Sequence, residues 1–309
     1  MSYPRIFERV YMSPLCVHPS RFASIHAFLL PRLMGQQALE MPTAAQPPKL
    51  DPQSGEVRPT RSNVSGKRQQ KAGPIYDHWT GRMIDPRFYT EPRPGVAVVP
   101  LYGAVAKNLS AWEEACGGGT DINAFETAIR QARAAEDIHT LILDIDSPGG
   151  SATGIAELGG LIAATAQEKT VYTFTDATMA SAAYWLGSQA NEVFAAASAT
   201  VGSIGTYIAW LDPAVKMELE GIKLRLYAEG EHKGMGLPGR PMSKADDAHL
   251  KALVKEINDE FTGAVRAARG DVADSTMQGQ SFTGRSALGL GLIDGIIPSF
   301  EDLLDLASA

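Results

Sequence analysis

Apolar positions along the chain fall into two regimes that meet near residue 90. From Val96 onward, short continuous apolar runs alternate with stretches in which apolar residues recur every three or four positions. That alternation predicts buried strands interleaved with amphipathic helices. Val96 to Val105 reads as a strand or strand pair interrupted by Pro100 and Gly103. Asp121 then caps a helix whose Ile122, Phe125, Ile129 and Ala132 share one face. Ile138 to Ile145 predicts the next strand, followed by a Gly-Gly loop and a helix to about Gln167; Val171 to Thr175 predicts another strand. Ser243 opens a long helix to about Ala268, with Leu250, Leu253, Ile257 and Phe261 on a stripe expected to pack into the core. Repeated strand-helix units point to an α/β fold with parallel layers rather than a sandwich.

Before residue 90 the pattern is weaker. Phe22, Ile25, Phe28, Leu29 and Leu33 stand at helical spacing between Pro19 and Leu33, predicting an amphipathic helix in an N-terminal arm over 1–41. That helix either packs on the main domain or docks a partner or neighbouring subunit. Residues 42–75 are rich in Pro, Gln, Ser and Gly, carry six Lys/Arg against two Asp/Glu and show no apolar period, so 42–90 reads as a linker. The remaining block, 91–309, is expected to be the main α/β domain, and it holds the candidate chemistry described below.

Composition narrows the class. With 309 residues, 44% of them hydrophobic, the chain can bury one large core or a core and an appendage. A net charge of -7 argues against general nucleic-acid binding. No apolar stretch reaches the roughly 20 residues that span a bilayer, so no transmembrane anchor is expected, and the N-terminus lacks the sustained apolar core of a secretory signal. Cys16 and Cys116 stand in no recognisable framework, which favours a reducing compartment such as the cytoplasm without excluding a disulfide. No histidine pair, acidic cluster or Cys-x-x-Cys spacing suggests a metal, and no cofactor is expected.

Candidate chemistry lies in three segments. Thr-Met-Ala-Ser-Ala-Ala at 178–183 and Glu-Gly-Glu-His-Lys-Gly at 229–234 offer Ser181 as a nucleophile and Lys233 as its general base. A hydroxyl needs such a base near neutral pH, and a lysine serves only when deprotonated. Bringing its pKa from about 10.4 to about 7 amounts to roughly 4 kcal/mol, which burial among small apolar residues can supply. Read alone, Ser181 is more simply a helix cap and Lys233 a solvated surface charge. Upstream, Leu-Ile-Leu-Asp-Ile-Asp-Ser-Pro-Gly-Gly at 141–150 predicts a buried strand and a loop in which Gly149 and Gly150 expose backbone N–H groups, as an oxyanion hole needs; a tight strand-to-helix turn is the other reading. No histidine lies between Ser181 and His232, which favours lysine as the base. His232 reads as a surface or substrate-groove residue, and His139 as a strand-edge residue.

These segments, in this order, resemble the signal peptide peptidase A family of serine peptidases, within the Clp-protease/crotonase superfamily. Ala-Thr-Val-Gly-Ser-Ile-Gly at 199–205 is similar to that family's Gly-Ser-Ile-Gly strand, and Phe-Thr-Gly-Arg-Ser-Ala-Leu-Gly-Leu-Gly-Leu-Ile-Asp at 282–294 to its closing motif. The resemblance covers about 96–298 and implies a spiral of repeated ββα units. It implies Ser181 and Lys233 as a catalytic dyad, Gly149 or Gly150 with the Ala182 N–H as the oxyanion hole, and Ser203 as a partner orienting the lysine. Ala182 and Ala183 depart from the glycines many relatives carry after the nucleophile.

The N-terminal Ser-Pro-Leu-Cys-Val-His-Pro at 13–19 resembles the start of phage head-maturation proteases. This implies protein substrates such as scaffold, portal or coat proteins, a homo-oligomer, and a place in the host cytoplasm or procapsid; any scaffolding region is expected on a separate product or missing. A bacterial peptide-degrading relative, a non-catalytic assembly subunit and a crotonase-type acyl-CoA enzyme are the alternatives.

Overall fold

A computed structural model describes residues 88–109 and 119–308, together with three short strands nearer the N-terminus. The helix expected over Pro19–Leu33 and linker residues 42–74 lie outside the described residues, whereas two of those short strands, at 75–76 and 83–85, fall within the linker expected over 42–90.

In chain order the strands are β1 (Leu15–Val17), β2 (Ile75–Tyr76), β3 (Met83–Asp85), β4 (Thr90–Arg93), β5 (Val96–Tyr102), β6 (Val105–Ala106) and β7 (Thr120–Asp121), leading into helix α1 (Ile122–Ala134). Two strand-strand-helix units follow: β8 (Thr140–Asp146), β9 (Gly149–Ser151) and α2 (Ile155–Ala166), then β10 (Thr170–Thr175), β11 (Thr178–Ala180) and α3 (Ala182–Gly187). The chain continues through β12 (Glu192–Ala195), β13 (Thr200–Gly202), α4 (Ala214–Leu219) and the long α5 (Lys244–Arg269). It closes with β14 (Ser281–Thr283), α6 (Gly284–Gly289), β15 (Gly295–Ile296) and α7 (Phe300–Ala307).

The first strands of successive units form one layer. β15, β12, β10, β8 and β5 run parallel in that order, and β4 closes the edge antiparallel to β5. Their second strands form another layer: β6 pairs parallel with β7 and β9, and β11 with β13. A parallel bridge from Ser147 to Met179 joins the two halves of that layer. The architecture is therefore the α/β spiral of ββα units that the sequence implied. At its edges β1 adds antiparallel to β9, and β14 to β13.

The apolar runs of β5, β8 and β10 are continuous because both faces of the main sheet are covered, as parallel sheets require. Ala97, Val99, Leu101, Leu141, Leu143, Ile145 and Val171 face the larger core with α1, α2 and α3. Val96, Val98, Ile142 and Phe174 face α7 through Leu303 and Leu304. Burial of each Val, Leu, Ile or Phe among these contributes about 1.5–3 kcal/mol. The helix caps fall where the sequence placed them: Asp121 accepts from the Asn123 N–H, and Ser243 accepts from the Asp246 N–H in a reciprocal capping box.

One expectation fails. The α5 stripe is buried at Phe261 and packs against the core at Ile257, but Leu250 and Leu253 are only half-buried. Core packing therefore accounts for the C-terminal half of that helix alone.

Candidate active site

Ser181 sits between β11 and α3, beyond the carboxyl end of β11, where ligands gather in open α/β architectures. Its N–H donates to the Gly202 carbonyl at 2.7 Å, and the preceding Ala180 N–H to the Ser147 carbonyl at 3.1 Å. The residue is thus gripped between β13 and the lead-in to β9. Its backbone takes φ 56° and ψ -123°, a region costly for any residue with a Cβ. The side chain is buried, and its Oγ has no hydrogen-bond partner among the described residues. A buried hydroxyl without a partner forgoes about 1–3 kcal/mol, so strain and desolvation coincide on one atom.

The surroundings are apolar, as the sequence indicated: Met179, Ala180, Ala182, Ala183, Tyr184 and Trp185 are all buried. Two contacts fix α3 behind the serine. Trp185 stacks on Phe261 of α5 with ring centroids 4.7 Å apart, and the Tyr184 hydroxyl donates to the Leu292 carbonyl at 2.8 Å. Burial pushes the Tyr184 phenol well above its ordinary range, so it stays neutral.

Gly149 and Gly150 lie in strand β9 rather than in an open loop. The Gly149 N–H donates to the Ser147 Oγ at 3.1 Å. A Cβ on Gly150 would stand 1.9 Å from the Val105 carbonyl oxygen, so this glycine is required by the approach of β6. Ala182 is the first residue of α3, a position whose N–H has no intrahelical acceptor. Ser203 is buried next to Gly202 at φ 53°, with its N–H donating to the Gln280 carbonyl at 2.6 Å. The second strained serine therefore follows directly on the residue that grips the first.

Lys233 is exposed and is not hydrogen-bonded to Ser181 in the isolated chain. It occupies a run of turns rather than an extended segment: the Lys233 N–H donates to the Gly230 carbonyl at 3.1 Å, and the Met235 N–H to the His232 carbonyl at 3.0 Å. Gly234 is needed there, because it combines φ +83° with a Cβ position 2.7 Å from the Leu226 side chain.

Beside Lys233 is a cluster that sequence reasoning missed. Asp246, fully buried in the first turn of α5, meets His232 Nδ1 at 2.9 Å, Arg240 at 3.0 Å and the Ser243 hydroxyl at 2.8 Å. The His232 hydrogen bond, followed by the Ser243 hydroxyl, holds its carboxyl well below the usual carboxylate range. The Ser-x-x-Asp spacing at 243–246 was the available signal. His232 is correspondingly a structural partner of α5 and not a free groove residue, whereas His139 is exposed immediately before β8, which is paired on both sides and is not a sheet edge.

A separate polar groove lined by Arg133, His139, Glu168, Lys169 and Tyr172 lies at the amino ends of β8 and β10, the opposite ends of these strands from the Ser181 side. Lys169 there caps α1 by donating to the carbonyls of Ala132, Ala135 and Ile138. Among the described residues no set of His, Cys, Asp and Glu could hold a metal ion, and no helix is long and apolar enough to cross a membrane.

Residues 163–307 match the family model described as peptidase family S49. The head-tail preconnector protein GP5 of Enterobacteria phage P21 is 24% identical over 317 residues, covering 98% of this chain and 57% of that protein. The capsid assembly protease C of Escherichia phage lambda is 25% identical over 220 residues, covering 70% of this chain and 49% of its own length. The chain thus spans about half the length of the curated relatives it matches. A probable enoyl-CoA hydratase/isomerase from Mycobacterium abscessus superposes with a TM-score of 0.42 at 11% identity, over 71% of this chain and 72% of that one.

Proposed function

With residues 163–307 matching peptidase family S49, we propose that the chain is a serine endopeptidase in which Ser181 forms an acyl-enzyme and Lys233 is the general base. The observation that carries this reading is Ser181 itself: a strained, buried hydroxyl without a partner at a strand-to-helix junction. A purely structural serine would satisfy its hydroxyl or give way to glycine.

In the proposed cycle Lys233 takes the Ser181 proton as Oγ attacks the scissile carbonyl. It returns that proton to the leaving amine and then activates water for deacylation. The developing oxyanion is met by the Ala182 N–H, with Gly149 or Gly150 as the second donor. Ser203 orients the lysine. Because the Gly149 N–H already donates to Ser147 Oγ, its use would require that short link to open.

Lys233 has to lose water around its ammonium to act as a base, and the isolated chain leaves it exposed. Burial by substrate or by a second subunit supplies what is missing. The likeness to the preconnector and capsid assembly proteins supports a role in phage head maturation, acting on scaffold, portal or coat proteins in the host cytoplasm or procapsid.

Ser181→Ala and Lys233→Ala should each lower cleavage of coexpressed coat or scaffold protein by at least about 10³-fold while leaving circular dichroism unchanged. Wild-type cleavage by either variant would refute the dyad. Coassembly without fragments would favour a non-catalytic assembly subunit.

A further inference from the structure

We propose that His232 is a positioning residue for Lys233, locking the lysine-bearing turn onto α5 through Asp246. The inference rests on Lys233 being the base, as proposed above, and adds how the fold holds that base in place.

The segment preceding Lys233 has little regular structure: between Gly221 and α5 the chain forms only turns and irregular stretches. Four glycines with positive φ, Gly230, Gly234, Gly236 and Gly239, let it double back repeatedly. Local turn hydrogen bonds shape such a segment but do not orient it against the rest of the protein. Two side chains do. His232 reaches Asp246 Oδ1 at 2.9 Å, and Arg240 reaches Asp246 Oδ2 at 3.0 Å. Arg240 also donates to the Glu231 carbonyl at 3.2 Å, so residues on both sides of Lys233 are tied to one buried carboxylate.

That carboxylate is itself immobile. The Ser243 N–H and hydroxyl both donate to Oδ2, at 3.2 and 2.8 Å, and its place in the first turn of α5 suits a negative charge. An ionised carboxylate only accepts hydrogen bonds, so His232 must present Nδ1–H to it. The charged and titratable groups around the imidazole are Asp246 and the stacked His249 on α5, with ring centroids 4.9 Å apart, and Glu231, Lys233 and Arg240 on the turn. Since His232 immediately precedes Lys233, fixing its ring limits the arc through which the lysine can swing. A base confined to a narrow arc reaches a productive geometry far more readily than one that swings freely through solvent.

The test uses the full chain and a fluorophosphonate probe, in which Ser181 Oγ displaces fluoride from phosphorus and its proton passes to Lys233. Labelling rate against pH then reports deprotonation of the base. His232→Ala should slow labelling at pH 7 by at least tenfold and change the midpoint of the pH profile. His232→Asn, whose amide N–H can replace Nδ1–H, should restore both. Should His232→Ala fail to fold, His232→Phe keeps the stacking on His249, removes only the donor, and carries the same comparison. Wild-type rate and midpoint in the donor-less variant, with Lys233→Ala inert, would overturn the positioning role and leave the dyad standing. So would failure of His232→Asn to rescue. Wild-type labelling of Lys233→Ala would instead refute the base assignment on which the role depends.

Discussion

At Ser181 the backbone and the side chain pull in the same direction. Its φ of 56° and ψ of -123° suit glycine and cost a residue with a Cβ about 1–3 kcal/mol, while the buried Oγ has no partner. Replacing the serine with glycine removes both penalties at the expense of a looser unfolded chain, worth about 0.5–1 kcal/mol. Alanine removes only the second. Ser181→Gly should therefore melt about 2–4 °C above Ser181→Ala, with both inactive. A calorimetric scan in which the glycine variant melts lower would show that the strain is not carried at this residue. The neighbouring Ser203, at φ 53°, shares the backbone feature but not the orphaned hydroxyl, which is why the prediction is made for Ser181.

At the scale of elements, α5 performs two tasks along its 26 residues. Its C-terminal half holds α3 in place through the Phe261–Trp185 stack, and its first turn holds the lysine-bearing turn through Asp246. The second task has a definite pH signature. A carboxylate whose folded pKa is depressed contributes stability that is present above its unfolded value of about 3.9 and lost as pH falls toward the folded one. The difference in melting temperature between wild type and Asp246→Asn should hence persist at pH 5 and above and shrink below about pH 4. A gap that narrows already between pH 7 and 5 would mean that another group sets the clamp.

The sequence displayed the first task and concealed the second. Apolar residues of β5, β8, β10 and α1 declare their elements because each element is buried along its length, and the caps at Asp121 and Ser243 mark helix starts by local chemistry alone. Ser181 stands out in the sequence through its motif, but its strained backbone and buried, partnerless Oγ are visible only in the fold. The Asp246 cluster joins residues 14 apart through a turn whose path no periodicity describes, so the sequence displays a cap where the fold makes an anchor. Gly149 and Gly150 were ambiguous for a similar reason. A Gly-Gly pair signals close backbone approach, and only the fold shows that Val105 is what approaches Gly150.

For the molecule as a whole, the distribution of apolar surface bears on whether the chain acts alone. Val215, Leu219 and Tyr227 are 71%, 84% and 89% exposed, and Ile222, Leu224, Leu226 and Leu237 lie on the same stretch of chain. Exposed apolar side chains on one stretch are suited to meeting a partner, and here they stand on both sides of Lys233 in the sequence. A second copy seated on this stretch would bury apolar area at about 25 cal/mol per Å² and would remove water from the lysine, lowering its pKa toward the working range. Assembly and activity should then fall together. Leu219→Glu and Tyr227→Glu, substitutions at exposed positions that cost the fold little, should shift the species seen by light scattering from oligomer toward monomer. They should also cut fluorophosphonate labelling of Ser181 at pH 7, with the deficit recovering as pH is raised toward the ordinary lysine range. A monomeric variant labelled at the wild-type rate would separate assembly from catalysis and leave substrate as the agent that desolvates Lys233.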